Sequence, residues 1–552
     1  MTEKERSFFV ALVADRTENA KVLQKRSMRG VKDNAVNKYS DQAHFIYELL
    51  QNADDTAATT ARFVLYLDRL IFAHNGLRQF SISDPATEDE DSDNGLLGDI
   101  NSITSYYNST KTEASIGKFG IGFKAVLQYT DKPEIYDDNF RFYIENQVVP
   151  HELASDYPGR KAGETLFVFP FAHADQAYRD IASKLRSLSY PILFLSHLQS
   201  ISFSIEDGNG LYAKERIKSK EFGQTFAELI HLVHINGETS DEEDMWLFSR
   251  CDDAGRRYSV GFPLNKDGAL RPVQTDAYCF FKTKEHTGLN FFVHAPFLLN
   301  DTREHIVAGN DHNHNMVKLL AALAADSLVY LRNIGLEQGP RLIDDRILDI
   351  IPTDASAFGK EDDDLDRLSF LPFYSAIQYK MGSEQILPTA DGYVSGKNAY
   401  WADTEEITLI ISNEQLSQLA GNPDARWVFV TIGRDRGRAR FTQYIDRIIG
   451  EKWCDENAII VGRKRRWLST DTNTLVLPGL NAPFIERQSI EWLHSYINGF
   501  QQQTTGQSEF GLSPYSSIET VMRLRHMMRM MSRFYSCPRR ASRWQTRLIP
   551  NS

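Results

Sequence analysis

Between residues 41 and 55 the apolar positions Ile46, Leu49, Leu50 and Ala53 recur at i, i+3, i+4 and i+7. At about 100° per residue, that spacing predicts an amphipathic helix burying one stripe. On roughly the opposite side Glu48, Asn52 and Asp55 recur at i, i+4 and i+7, with His44 one turn earlier. Asn and Asp are weak helix formers, so propensity does not place them there. The plainer reading of such an edge is a solvated polar face; the other is a row of oxygen ligands.

Downstream the period changes. "ARFVLYLDRLIFAHNG" (61–76) carries two apolar runs around Asp68-Arg69 and predicts a hairpin. "PEIYDDNFRFYIEN" (133–146) predicts a second hairpin around Asp137-Asp138-Asn139, and "ETLFVFPF" (164–171) a buried strand. A helical arm is expected over about 4–27, a helix over "LLGDINSITSYY" (96–107), and a solvated loop over the acidic stretch 84–95. From about residue 216 the text shifts to longer strands, such as "LNFFVHAPFLLN" (289–300), and a strong helix, "MVKLLAALAADSLVYLRNI" (316–334). The expected fold class is α+β, with helices over a mostly antiparallel sheet.

At 552 residues the chain exceeds one ordinary core. The expected division is a first domain over 1–215, a second α+β, transducer-like domain over 216–335, a third mixed α/β region over 336–518 and a basic tail over 519–552. Hydrophobic residues at 42% and charged residues at 25% are globular composition. A net charge of −12 argues against a dedicated nucleic-acid coat, because polyanion binding needs a basic face. The four cysteines show no C-x-x-C spacing, which argues against a zinc site or a disulfide framework. No run approaches about eighteen apolar residues and the N-terminus is not a signal peptide, so a cytoplasmic protein without a membrane span is expected.

"GKFGIGF" (117–123) places Gly117, Gly120 and Gly122 before a helical stretch. Glycines let backbone approach phosphate oxygens, and a helix N-terminus adds free N–H groups. The stretch lacks the Gly-Lys-Ser/Thr ending of a Walker loop, and no parallel strand-helix-strand unit surrounds it.

Together the pieces resemble the GHKL ATPase superfamily (gyrase, heat-shock protein 90, histidine kinase, MutL), and within it the sacsin-like branch of large ATP-binding proteins. The carrying stretches are "KYSDQAHFIYELLQNADD" (38–55), "FAHNG" (72–76), "NSTK" (108–111), "IGKFGIGFKAV" (116–126) and "GETLFVFP" (163–170). The resemblance implies a Bergerat-type ATP-binding α/β sandwich with ATP and Mg²⁺ as cofactors. It implies Glu48 as the general base and Asn52 as the Mg²⁺ ligand, with Asp55 near the ribose and adenine. Gly117, Gly120 and Gly122 would line the phosphates beside Lys118, Thr110 and Lys111, and Thr165 would help bind the base. The family's Asp-x-Gly, whose carboxylate accepts from the adenine amino group, reads His74-Asn75-Gly76 here. A neutral histidine offers a single acceptor nitrogen, and its tautomer decides whether it can accept at all. The kinase branch usually has asparagine at the Glu48 position and a phosphoacceptor histidine helix before the domain. The arm over 4–27 holds no histidine, which argues against a kinase.

"HAPFLLNDTREHI" (294–306) also resembles the sacsin-like branch. It offers Arg303 as a basic side chain for the γ-phosphate, against the plainer reading of an arginine paired with Glu304 or Asp301. The resemblance implies a slow ATPase whose cycle closes a lid, about residues 84–116, and reorients the second domain, in a chaperone or host-defence role. The alternative is a nucleotide-gated module or truncated pseudo-ATPase. Expected partners are ATP, a protein client and a second copy of the chain. The basic clusters Arg434, Arg436, Arg438, Arg440 and Arg463, Lys464, Arg465, Arg466 leave nucleic acid open. Residues 520–552 hold eight arginines, no lysine and no acid, which reads as a tail out of frame or a basic arm.

Overall fold

The computed structural model describes residues 1–24, 43–105, 123–300, 302–339, 341–358, 368–402 and 405–429, with short pieces at 453–454, 484, 487–489 and 491–492. The chain divides into two compact units, Met1–Met381 and Gly382–Ser552.

Local signals start the first unit. Thr2 caps helix α1 (Glu3–Leu23): its hydroxyl accepts from the Glu5 N–H at 3.3 Å while the Glu5 carboxylate accepts from the Thr2 N–H at 2.6 Å. Helix α2 (Phe45–Asp55) follows with Ile46, Leu49, Leu50 and Ala53 all buried. Strands β1 (Thr60–Leu65) and β2 (Arg69–His74) form the hairpin expected around Asp68-Arg69. Strands β3 (Glu134–Tyr136) and β4 (Arg141–Glu145) form the one around Asp137-Asp138-Asn139. After β5 (Val149–Glu152) comes β6 (Thr165–Pro170), which pairs antiparallel with β2, bringing Thr165 opposite His74.

Helix α3 (Ala174–Arg186) leads to β7 (Ser200–Ile205), which runs parallel to β1. Three long strands follow: β8 (Gly208–Phe222), β9 (Thr225–Asn236) and β10 (Thr239–Cys251). Then come β11 (Arg257–Pro263), β12 (Asp276–Cys279), β13 (Phe281–His286) and β14 (Phe292–His294). All join one mixed, largely antiparallel sheet of 14 strands, ordered β13-β12-β14-β11-β10-β9-β8-β7-β1-β2-β6-β3-β4-β5. Residues 215 and 216, where the sequence suggests a boundary, are consecutive positions of β8.

The first core is an aromatic ladder. Alternation puts Phe63, Phe72, Phe167 and Phe169 on the sheet face that packs with Phe45 and Leu49 of α2. Ile71, Ala73, Leu166 and Val168 point the other way and are also buried, with Tyr136. Burial on both faces explains why β2 and β6 read as continuous apolar runs.

Two expectations are corrected. The acidic stretch 84–95 is not an open loop: Asp84 caps a turn over Pro85–Thr87, and Glu88–Asp93 is a short helix. Acidic side chains in a first turn favour that helix electrostatically, and Arg16 of α1 pairs with Glu88. The second concerns "LNFFVHAPFLLN", of which only Phe292–His294 is strand. Pro296 has no N–H to offer a ladder. Beyond it, the Leu298 N–H donates to Asn313 Oδ1 at 2.8 Å and the Leu298 carbonyl accepts from Asn313 Nδ2 at 2.9 Å.

Asn313 belongs to helix α4 (Asp311–Gln338), capped by Asn310. By length and composition α4 could cross a membrane, and 56% of its apolar window is buried inside the protein. Leu320, Leu323, Ala324 and Leu328 are sealed there, as in a core helix.

In the second unit, the helix Asn413–Ala420 is bounded by a Ser412 capping box and left-handed Gly421. It packs Leu416 and Leu419 with Ile411, Trp427 and Phe484. The basic clusters at 433–440 and 462–467 and the tail lie outside the described residues.

Candidate functional site

The end of α2 is held by its own polar residues. The buried Asp54 carboxylate accepts three backbone N–H groups, from Ser196, His197 and Leu198, at 2.8, 2.7 and 2.8 Å. Around that loop Lys214 Nζ donates to the Leu195 carbonyl at 2.7 Å and Arg257 donates to the Phe194 carbonyl at 2.8 Å. Burial pushes the Lys214 ammonium down to about 8. Asn75 organises the neighbouring turn: its Oδ1 accepts from the Thr59 and Thr60 N–H groups, both at 2.9 Å. Gly76 is needed for close approach, since a Cβ there would stand 2.0 Å from Thr56 Oγ1 and 2.9 Å from His74 Nδ1. So the last turn of α2 and the His74-Asn75-Gly76 turn pack directly together.

The polar edge of α2 is solvated only at its end, Asp55. Glu48 and Asn52 are both buried. Arg303, from the loop after β14, donates to Glu48 Oε1. Lys284 Nζ donates to Glu304 at 2.7 Å, and Asp301 lies outside the described residues. Asn300 shapes the loop, its Oδ1 accepting from the Thr302 hydroxyl at 3.0 Å and from the Glu304 and His305 N–H groups at 3.2 Å. Arg303 itself has φ +57°, a left-handed conformation that costs a non-glycine residue about 1 kcal/mol or more. The residue preceding Glu48, Tyr47, stacks on Phe281 with centroids 4.5 Å apart. The helix thus meets the region around residues 280–303 through both an ion pair and a ring stack.

Further along the edge, the Asn52 carboxamide has no hydrogen-bond partner among the described residues. Asp55 keeps an exposed surface, yet protein atoms crowd its carboxyl. Desolvation, followed by the negative charges of Asp54 and Glu48 against the opposing charge of Arg78, raises it to about 7.

His74 and Thr165 end the aromatic ladder on the same sheet face, directly opposite each other in the β2–β6 register. His74 is buried, and burial holds its imidazole down to about 4, so it is neutral near pH 7. Its Nδ1 accepts from the Gly76 N–H at 3.1 Å. Nδ1 therefore carries no proton, and the neutral ring holds it on Nε2. The Thr165 hydroxyl is buried without a partner among the described residues. With Nδ1 turned to the Gly76 N–H, the neutral His74 ring keeps no second acceptor nitrogen.

Of the predicted site residues, Glu48, Asn52, Asp55, His74, Gly76, Thr165 and Arg303 are placed. Thr110, Lys111, Gly117, Lys118, Gly120 and Gly122 lie outside the described residues. Sequence reading missed Asp54, whose signal was its place four residues after Leu50, beside the buried stripe. It also missed Lys124, which donates to the Gln147 carbonyl at 2.6 Å and is pushed down to about 7 by burial. Among the described residues no cluster of three or more His, Cys, Asp and Glu side chains could hold a metal by itself.

Residues 28–151 match the family model of the Sacsin domain. The chain is 26% identical to Protein NO VEIN of Arabidopsis thaliana over 340 residues, covering 52% of this chain and 11% of that protein. It is 23% identical to Sacsin of Homo sapiens over 421 residues, covering 56% of this chain and 9% of that protein. The chain therefore spans about a tenth of the length of these curated relatives.

Proposed function

We propose that the first unit is a GHKL-type site that binds ATP with Mg²⁺ and hydrolyses it slowly. The observation that carries this reading is the buried part of the polar edge of α2, with Glu48 gripped by Arg303 and the Asn52 carboxamide without a partner among the described residues. Helix propensity and solvation both fail to explain burying such side chains, whereas a ligand that partners them does.

Asn52 and the oxygen-bearing edge fit a hard cation, which takes oxygen ligands. When bound, Mg²⁺ would shield the phosphate charges and polarise the γ-phosphoryl group. Asn52 Oδ1 would hold it. Glu48 would accept a proton from the attacking water, or orient that water. Arg303 would trade Glu48 for the γ-phosphate, stabilising its charge and releasing the carboxylate for that task. Because Tyr47 and Glu48 both meet residues beyond 280, the exchange would pass from the nucleotide to that region.

One observation favours a second reading, a nucleotide-gated module without useful turnover: Arg303 holds the very carboxylate that hydrolysis needs. Calorimetric titration of the purified full chain with ATP, with and without Mg²⁺, tests the common core of both. Saturable Mg²⁺-dependent binding is expected, and no binding by folded protein contradicts them. The cytoplasmic setting, a protein client, homodimerisation and a chaperone or host-defence role belong to the same proposal, since a fold does not set a pathway.

A further inference from the structure

We infer that the base-binding end of this site reads a hydrogen-bond acceptor through His74, so it does not select adenine by its amino group and takes 6-oxopurine nucleoside triphosphates at least as well. The inference rests on the nucleotide reading above and adds which base edge these two side chains suit. Two polar side chains interrupt an otherwise apolar face formed by Phe63, Phe72, Phe167 and Phe169. They stand opposite each other in the strand register, His74 on β2 and Thr165 on β6. The Thr165 hydroxyl is buried with no partner among the described residues, and His74 has already turned its Nδ1 to the Gly76 N–H. Buried polar groups are costly unless something pairs with them, and the donors and acceptors along a base edge would do so at the end of the ladder.

The polarity of the pair follows from one contact. A carboxylate at position 74 could accept from the Gly76 N–H with one oxygen and keep the other as an acceptor for an amino group. The imidazole spends its acceptor, Nδ1, on the Gly76 N–H at 3.1 Å, and what remains is the Nε2–H donor. Opposed to the amino group of adenine, two donors would face each other, and neither would be satisfied. Opposed to a ring nitrogen or to the carbonyl of a 6-oxopurine, Nε2–H is paired. The Thr165 hydroxyl, donor and acceptor both, then complements either the N1 of adenine or the N1–H of hypoxanthine. A site built around a given donor pattern discriminates by leaving mismatched groups unpaired, and the same logic removes discrimination when the pattern is reversed.

The test is calorimetric titration of the full chain with Mg²⁺–ATP and Mg²⁺–ITP, on wild type, His74→Asp and His74→Asn. For wild type, ITP is expected to bind as tightly as ATP or more tightly; a preference for ATP beyond about threefold overturns the inference while leaving the nucleotide reading intact. His74→Asp restores a free acceptor and is expected to swing the ratio toward ATP by about tenfold. His74→Asn can give its oxygen to Gly76 and keep an N–H donor, so it should retain the wild-type ratio. A folded His74→Asp with an unmoved ratio also overturns the inference, and the wild-type comparison decides even if that variant does not fold. Binding of neither triphosphate by folded wild-type protein would remove the nucleotide reading and this inference together.

Discussion

Arg303 donates a hydrogen bond to Glu48 across 255 residues of chain. The contact joins the polar edge of α2 to the loop after β14. Truncating Arg303 leaves the buried Glu48 charge uncompensated, so the pair has a defined state to lose.

Arg303→Ala should separate ATP from ADP. If Arg303 exchanges Glu48 for the γ-phosphate, the variant weakens ATP by about tenfold and leaves ADP nearly unchanged. Calorimetry with both nucleotides checks this. An equal loss for ATP and ADP would mean that Arg303 only braces the fold.

Asp54→Ala should cost stability whether or not nucleotide is present. Three N–H groups, of Ser196, His197 and Leu198, lose their acceptor. The expected loss is about 3 kcal/mol or more, read from urea denaturation, with Asp54→Asn losing less. A variant as stable as wild type would show that water replaces the carboxylate at that loop.

These two contacts mark where the sequence stops being legible. Helix α2, both hairpins and the buried strand β6 follow from local periodicity, and the polar edge Glu48–Asn52–Asp55 was readable from the same spacing. What closes the site is not local. Asp54 finds partners at 196–198 and Glu48 finds one at 303, contacts that no window of a few turns contains. The direction of His74 was also hidden, because it depends on a single backbone N–H two residues on. The expected strand at 289–300 failed for a similar reason: Asn313, from another element, takes the bonds of Leu298.

His74 should shape stability in acid. Its folded value is lowered to about 4, against about 6.5 unfolded, so between those values the unfolded chain binds a proton that the fold excludes. Stability from this group is therefore full above about pH 6.5 and lost as pH falls toward 4, by about 3 kcal/mol in all. His74→Gln removes that dependence, and the difference between variant and wild-type denaturation curves at pH 7 and pH 4.5 isolates it. Parallel losses in both proteins would contradict the assignment. Comparing variants matters because Asp55, raised to about 7, acts in the opposite direction and favours the fold on the acid side.

Asn52→Ala should weaken Mg²⁺–ATP binding far more than binding of ATP in chelator, because its carboxamide is the proposed protein ligand to the metal. The same fractional loss under both conditions would move Asn52 from the metal to the packing of α2.

Steady-state phosphate release by the full chain, wild type beside Glu48→Ala, tests the central claim most directly. The account predicts slow, Mg²⁺-dependent release by wild type that falls by about a hundredfold in the variant while ATP still binds, the size expected for losing a general base. Equal release by both proteins, in preparations shown to be free of contaminating ATPase, would contradict it.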